Sequence, residues 1–307
     1  MDRHPMKIFL AVDGSDNAWA AVKLLQDLPV YRAQPYGPDQ PASEITVITV
    51  ILPRNATDYT SRRVLLEKTQ TILRENGYVV QTELLAGYPA EILVDYAERN
   101  KPDLIILGAK GLRATLGILL GGVAQQLVEY APCPILIVRA PYNGLKCVLA
   151  VVDGSQFSFN AVEFLGRFPL PAEAEITIAH VLPPLYNPDL IISQYNPGFE
   201  AYIPPLRMAA MDLKAQQEEE ECEGRELLGS IHRFLATQGL KSATTLLRGD
   251  AATEIIEYGR QHQVNLIVSG SRGLSQMRGL LLGSVSRKLV HYASCSTLVV
   301  KTKQQVA

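Results

Sequence analysis

The residues of this chain best suited to holding an anion lie in one stretch: Gly270-Ser271-Arg272-Gly273, nine further residues, then Gly283-Ser284-Val285-Ser286. Glycine lets the backbone come close to a phosphate, and free N–H groups at a helix start point toward it. Ser284 and Ser286 add hydroxyl donors, and Arg272 adds a fixed positive charge. The chemistry requires a strand before the turn and a helix after it; without them, such glycines only make a tight turn. Both are predicted. Leu266-Ile267-Val268-Ser269 is an apolar run of buried-strand type, a helix follows Gly283, and a last strand is expected from Thr297 to Val300.

The whole arrangement occurs twice. Leu104 to Leu107, the turn Gly108-Ala109-Lys110-Gly111, nine residues, Gly121-Gly122-Val123 and a strand at Ile135 to Val138 match it at a constant offset of 162. The chain is a duplication. Its copies open alike: apolar Lys7 to Val12 and Lys146 to Val152 run into Asp13-Gly14-Ser15 and Asp153-Gly154-Ser155, each followed by an amphipathic helix.

Further strands are expected at Ile45 to Leu52, Ile176 to Leu182, Tyr78 to Leu85 and near Thr244 to Leu247. Each copy therefore reads β-α-β-α-β-α-β-α-β. The expected fold is α/β: two tandem five-stranded, mainly parallel sheets with helices on both faces, in domains 1–141 and 142–307. Ligands in such sheets sit at the carboxyl ends of the strands, so one crevice per copy is expected beside Asp13 and Asp153. The second copy carries an insertion at about 185–215, with Tyr186, Tyr195 and Tyr202 spaced through it. Either a tyrosine-bearing lid or partner surface, or a solvated loop leading into a long helix, fits that segment; the run Glu218 to Glu221 reads as a solvated helical face.

Composition narrows the function. With 307 residues there is room for two ordinary cores. Charged residues make up 20% and nearly balance, with pI about 6.2, which gives no electrostatic case for nucleic acid or an anionic membrane. Cys133, Cys147, Cys222 and Cys295 lack metal-ligand spacing and fit a reducing compartment. Only five apolar residues separate Lys7 from Asp13, too few for a signal-peptide core, and no run is long enough to span a membrane. A cytoplasmic, soluble protein is expected.

Asp-Gly-Ser after the first strand, with Gly-x2-Gly-x9-Gly-[Ser/Thr] after the fourth, resembles the universal stress protein family in its tandem form. The resemblance covers roughly 6–140 and 145–302. It implies a Rossmann-like fold of the adenine nucleotide alpha hydrolase type and the ATP-binding branch of the family, with ATP, ADP or AMP as ligand and Mg2+ as an optional companion of the phosphates. Val152, Asp153 and Gly154 would then face adenine and ribose, with Val181 near the base. Gly270, Ser271, Arg272 and Gly273 would wrap ribose and phosphates, and Gly283, Ser284, Val285 and Ser286 would hold the terminal phosphates. In the first copy, Val12, Asp13, Gly14, Val50, Gly108, Ala109, Lys110 and Gly111 suit a nucleotide, but Gly121 is followed by Gly122, Val123 and Ala124. The missing hydroxyl predicts a site roughly tenfold to hundredfold weaker, or one favouring a diphosphate, with Lys110 offsetting part of the loss.

Other residues fit less specific roles. His180 suits a hydrogen-bonded core histidine better than a catalyst. Asp13 and Asp153 could cap the following helices or meet a divalent ion through water. Cys133 and Cys295 occupy matching positions before the last strands, near a two-fold seam where the family's strands often pair; both a redox switch and inert packing fit them. No general base lies on the glycine turn, so hydrolysis would be slow at most. The expectation is a nucleotide-binding stress-response sensor or regulator packed as an internal pseudo-dimer, with an unidentified protein partner; a homodimer of tandem chains, a slow ATPase and a scaffold with structural nucleotide are the alternatives.

Overall fold

The computed structural model describes residues 5–30, 42–52, 59–112, 119–185, 204–274 and 281–301, with side chains from 213 onward in the fifth stretch. The first copy runs β1 (Lys7–Ala11), α1 (Asp16–Asp27), β2 (Glu44–Ile51), α2 (Tyr59–Glu75), β3 (Val79–Ala86), α3 (Pro89–Asn100), β4 (Leu104–Gly108), α4 (Gly122–Tyr130) and β5 (Ile135–Val138). The second repeats it as β6 (Cys147–Val151), α5 (Gln156–Arg167), β7 (Glu175–Leu182), α6 (Pro204–Thr237), β8 (Ser242–Arg248), α7 (Ala251–Gln261), β9 (Leu266–Gly270), α8 (Ser284–Tyr292) and β10 (Ser296–Val300).

Within each copy all pairings are parallel. The two five-stranded halves are joined edge to edge, because β5 and β10 pair antiparallel through Thr297 with Ile137, Leu298 with Leu136 and Val299 with Ile135. One ten-stranded sheet results, ordered β3-β2-β1-β4-β5-β10-β9-β6-β7-β8. The strand order reverses between β1 and β4 and between β6 and β9, which creates a crevice at each point. Since the seam is antiparallel, the carboxyl ends of the two halves, and their crevices, lie at opposite edges of the sheet.

β5 is Ile-Leu-Ile-Val and buried throughout, as suits a strand covered on both faces. On one face a single core crosses the seam and includes Ile8, Leu10, Leu136, Leu298, Val148 and Ala150. On the other face the core is split, one part around Phe9, Leu107 and Leu127 and the other around Leu149, Ile267 and Leu289.

The long helix expected to follow the irregular segment of the second copy is present as α6, 34 residues long. Tyr186, Tyr195 and Tyr202 lie outside the described residues. The glutamate run is not wholly a solvated face: Arg248 at the end of β8 reaches Glu220 at 3.6 Å and Glu221 at 3.2 Å.

Candidate functional site

Two serines define the turn from the first strand of each copy into its helix. Ser15 caps α1, its side chain accepting from the Ala18 amide at 3.2 Å, and Ser155 caps α5 by accepting from Ser158 at the same distance. The expected alternative of aspartate caps is therefore corrected. Asp13 instead ties two segments together, Oδ1 accepting from the Ser15 amide at 3.0 Å and Oδ2 from the Leu112 amide at 2.9 Å. Asp153 Oδ1 accepts from the Ser155 amide at 3.0 Å and hydroxyl at 2.6 Å. Gly14 and Gly154 hold φ of +85° and +79°, in the left-handed region where a side chain is strained.

The glycine turns pack directly on those helix starts. A Cβ at Gly108 would come within 2.7 Å of the Ala18 nitrogen, and one at Gly270 within 2.6 Å of the Phe157 carbonyl. Only glycine admits so close a backbone. The turns close identically, Gly121 N–H donating to Ala109 O and Gly283 N–H to Ser271 O, each at 2.8 Å. The next helices start at Gly122 and Ser284 with no side-chain cap, so their first-turn N–H groups have no intrahelical acceptor, and the residues of these first turns line the crevices. Ser284 is exposed at the mouth, whereas Ser286 is buried and donates its hydroxyl to Gly270 O at 2.6 Å. That proton is committed within the protein. Gly122 stands in open space.

The first crevice is a cavity of about 570 Å³, the second one of about 340 Å³. Val12, Asp13, Val50 and the turn Gly108, Ala109, Lys110 and Gly111 line the first, with Gly121, Gly122 and Val123 at the helix start. Gly14 stays outside that lining. Val152, Asp153, Val181, Gly270, Arg272 and Gly273 line the second, with Gly283 through Ser286. Gly154 and Ser271 are not among its walls; Ser271 is buried, its amide donating to Val300 O at 2.9 Å.

The polar residues Arg62, Thr49 and Ser269 are among the wall residues not singled out from the sequence. Arg62, on α2, lines the first cavity and donates from Nη1 to Asp13 O at 2.7 Å. Thr49 in the first cavity and Ser269 in the second are almost fully buried, and neither hydroxyl has a hydrogen-bond partner among the described residues. At the offset of 162 the counterpart of Arg62 is Gly224, which sits flush against His180 and Leu246, so the second copy has no cation at that position. His180 Nδ1 meets Val152 O at 2.8 Å, so it is hydrogen-bonded as expected, though half-buried rather than in the core. Among the described residues no group of three or more His, Cys, Asp or Glu could hold a metal ion.

At the seam each copy caps the other's last helix. Arg139 donates to Val290 O at 2.8 Å and His291 O at 3.1 Å at the end of α8, and to Leu119 O at 2.8 Å beside the first glycine turn. Lys301 donates to Glu129 O at 2.8 Å and Ala131 O at 2.9 Å at the end of α4. Burial drives the Lys301 pKa down to about 8 and pushes the Cys295 thiol up to about 11, which keeps that thiol protonated.

The fold and its crevices define a two-lobed, doubly wound α/β protein with one ligand-sized cavity at each switch point. The universal stress protein family model matches residues 5–139 and again 144–301, and the chain belongs to that family in tandem form. A universal stress protein of Mycolicibacterium smegmatis is 26% identical over 254 residues, covering 78% of this chain and 77% of that one. The YxiE universal stress protein of Bacillus subtilis is 27% identical over 154 residues, half of this chain and 97% of the relative. A Methanocaldococcus jannaschii relative reaches 41% over 76 residues, only 45% of its own length. The crystal structure of a universal stress protein from Archaeoglobus fulgidus superposes with a TM-score of 0.60 at 18% identity, covering 97% of both chains. No helix among the described residues is long and apolar enough to cross a membrane.

Proposed function

We propose that the crevices bind adenine nucleotides and that the protein is a cytoplasmic stress-response sensor whose occupancy is read by a protein partner. The observation that carries this reading is, in each cavity, an uncapped helix start beside a glycine turn at the switch point of the sheet. Unpaired N–H groups at such a start favour phosphate. In this reading Val152, Asp153 and Val181, which line the second cavity, face base and ribose, and the glycine turn and Ser284 hold the phosphates. Ser286 contributes through its backbone, because its hydroxyl is spent on Gly270 O. A magnesium ion, if it accompanies the phosphates, would meet Asp13 or Asp153 through water. Binding acts by shifting populations between conformations that differ in affinity for the ligand.

The test is to denature the purified chain, identify any released nucleotide by mass spectrometry, and titrate the ligand-free protein with ATP. The expected result is adenine nucleotide released or bound, with Ser284→Ala roughly tenfold weaker at the second crevice. If no adenine nucleotide is released and none binds on titration, the reading is rejected.

A further inference from the structure

The missing hydroxyl at Gly122 predicts a weak first crevice, yet the charges in the two cavities rank them differently. Among the described residues, the first is lined by two cations, Arg62 and Lys110, and one carboxylate, Asp13. The second is lined by Arg272 and Asp153. Neither Arg62 nor Lys110 pairs with a carboxylate among the described residues, and Asp13 already accepts two backbone amides. Arg62 uses one guanidinium nitrogen on the Asp13 carbonyl, which fixes the group at the cavity wall with further donors available. In the second copy the corresponding helix gives no cation there: Gly224 packs on His180, and the glutamates a turn earlier are drawn to Arg248. The buried hydroxyls differ too. Thr49 lies on β2, whereas Ser269 lies on β9, so the copies present their unpaired oxygens from different strands.

We infer that Arg62 is the charge-selecting residue of the first crevice, which thereby prefers an adenine nucleotide with two or three phosphates over AMP more strongly than the second crevice does. The inference rests on the nucleotide reading above. A cavity with a net positive charge gains with each added phosphate, and a guanidinium held at one nitrogen meets an oxyanion with less ordering than a free side chain would. The absent hydroxyl at Gly122 is offset from the opposite wall.

The experiment uses the full chain with Val285→Trp, which obstructs only the second cavity, and measures ATP, ADP and AMP binding by calorimetry with and without Arg62→Gln. Expected are binding to the Val285→Trp protein, a loss of about ten- to hundredfold for ATP on adding Arg62→Gln, and a smaller loss for AMP. Partial recovery with Arg62→Lys and an unchanged melting temperature would support a charge contact. Equal losses for ATP and AMP would mean that Arg62 only props Asp13, and would overturn the inference. So would ATP binding by the wild type that vanishes in Val285→Trp. If the wild type binds no adenine nucleotide, the nucleotide reading itself fails.

Discussion

Gly108 and Gly270 stand among phosphate-binding candidates, but their shared constraint is mechanical. A methyl group at either would press into the backbone at the start of α1 or α5, 2.6 to 2.7 Å away. Gly122, in the first turn of α4, has nothing within 4 Å. Gly108→Ala should therefore cost about 1 to 3 kcal/mol in urea denaturation, while Gly122→Ala should be neutral or gain a few tenths. Equal costs would mean that close packing is not what excludes a side chain at Gly108. At this scale the sequence was informative about residue type and spacing: the glycine turns and both aspartates lie at the crevices because their order along a strand-turn-helix is fixed locally. Arg62 was hidden because its place depends on how α2 packs, 49 residues from the Asp13 carbonyl it touches. The Ser286 hydroxyl turned inward for a similar reason, the nearness of Gly270 O, which spacing alone does not disclose.

The elements that meet at the seam exchange caps. Lys301 serves α4 and Arg139 serves α8, each placing a cation at the negative end of the other half's helix. Lys301 is held there at the expense of hydration. Its folded pKa of about 8 lies below the ordinary value of 10.5, so the folded chain binds fewer protons than the unfolded chain between those limits. The cost of keeping this amine charged is fully present below about pH 8, and stability from this group rises as pH climbs toward 10.5. Compared with Lys301→Met, the wild type should gain on the order of 3 kcal/mol between pH 7 and 10.5 in denaturation measurements. Groups distant from Lys301 cancel in that difference. A gap independent of pH would show that the ammonium is not desolvated. The strands and helices themselves were legible from apolar runs and the repeated pattern; these caps were not, since both cross from one copy to the other.

Across the whole molecule, β5–β10 pairing joins the two lobes in one sheet with a core that spans the seam, which predicts that they unfold together. Trp19, the single tryptophan, lies on α1 of the first half and reports on that half alone. Its fluorescence and the far-ultraviolet circular dichroism of the entire chain should follow the same urea transition. Separate transitions would mean that the seam does not couple the halves. Two five-stranded halves were readable from the duplication, whereas the seam between β5 and β10 was foreseen only through the family resemblance, because pairing of two distant edges has no local signature.

The antiparallel seam also fixes how the molecule can be addressed from outside. With the crevices at opposite edges of the sheet, no compact bivalent ligand can fill both in one chain. A long one would tether neighbouring chains head to tail, and a partner checking both occupancies would have to clasp the molecule from two sides or arrive as two copies. The duplication thus supplies two back-to-back terminals, each approached from its own side.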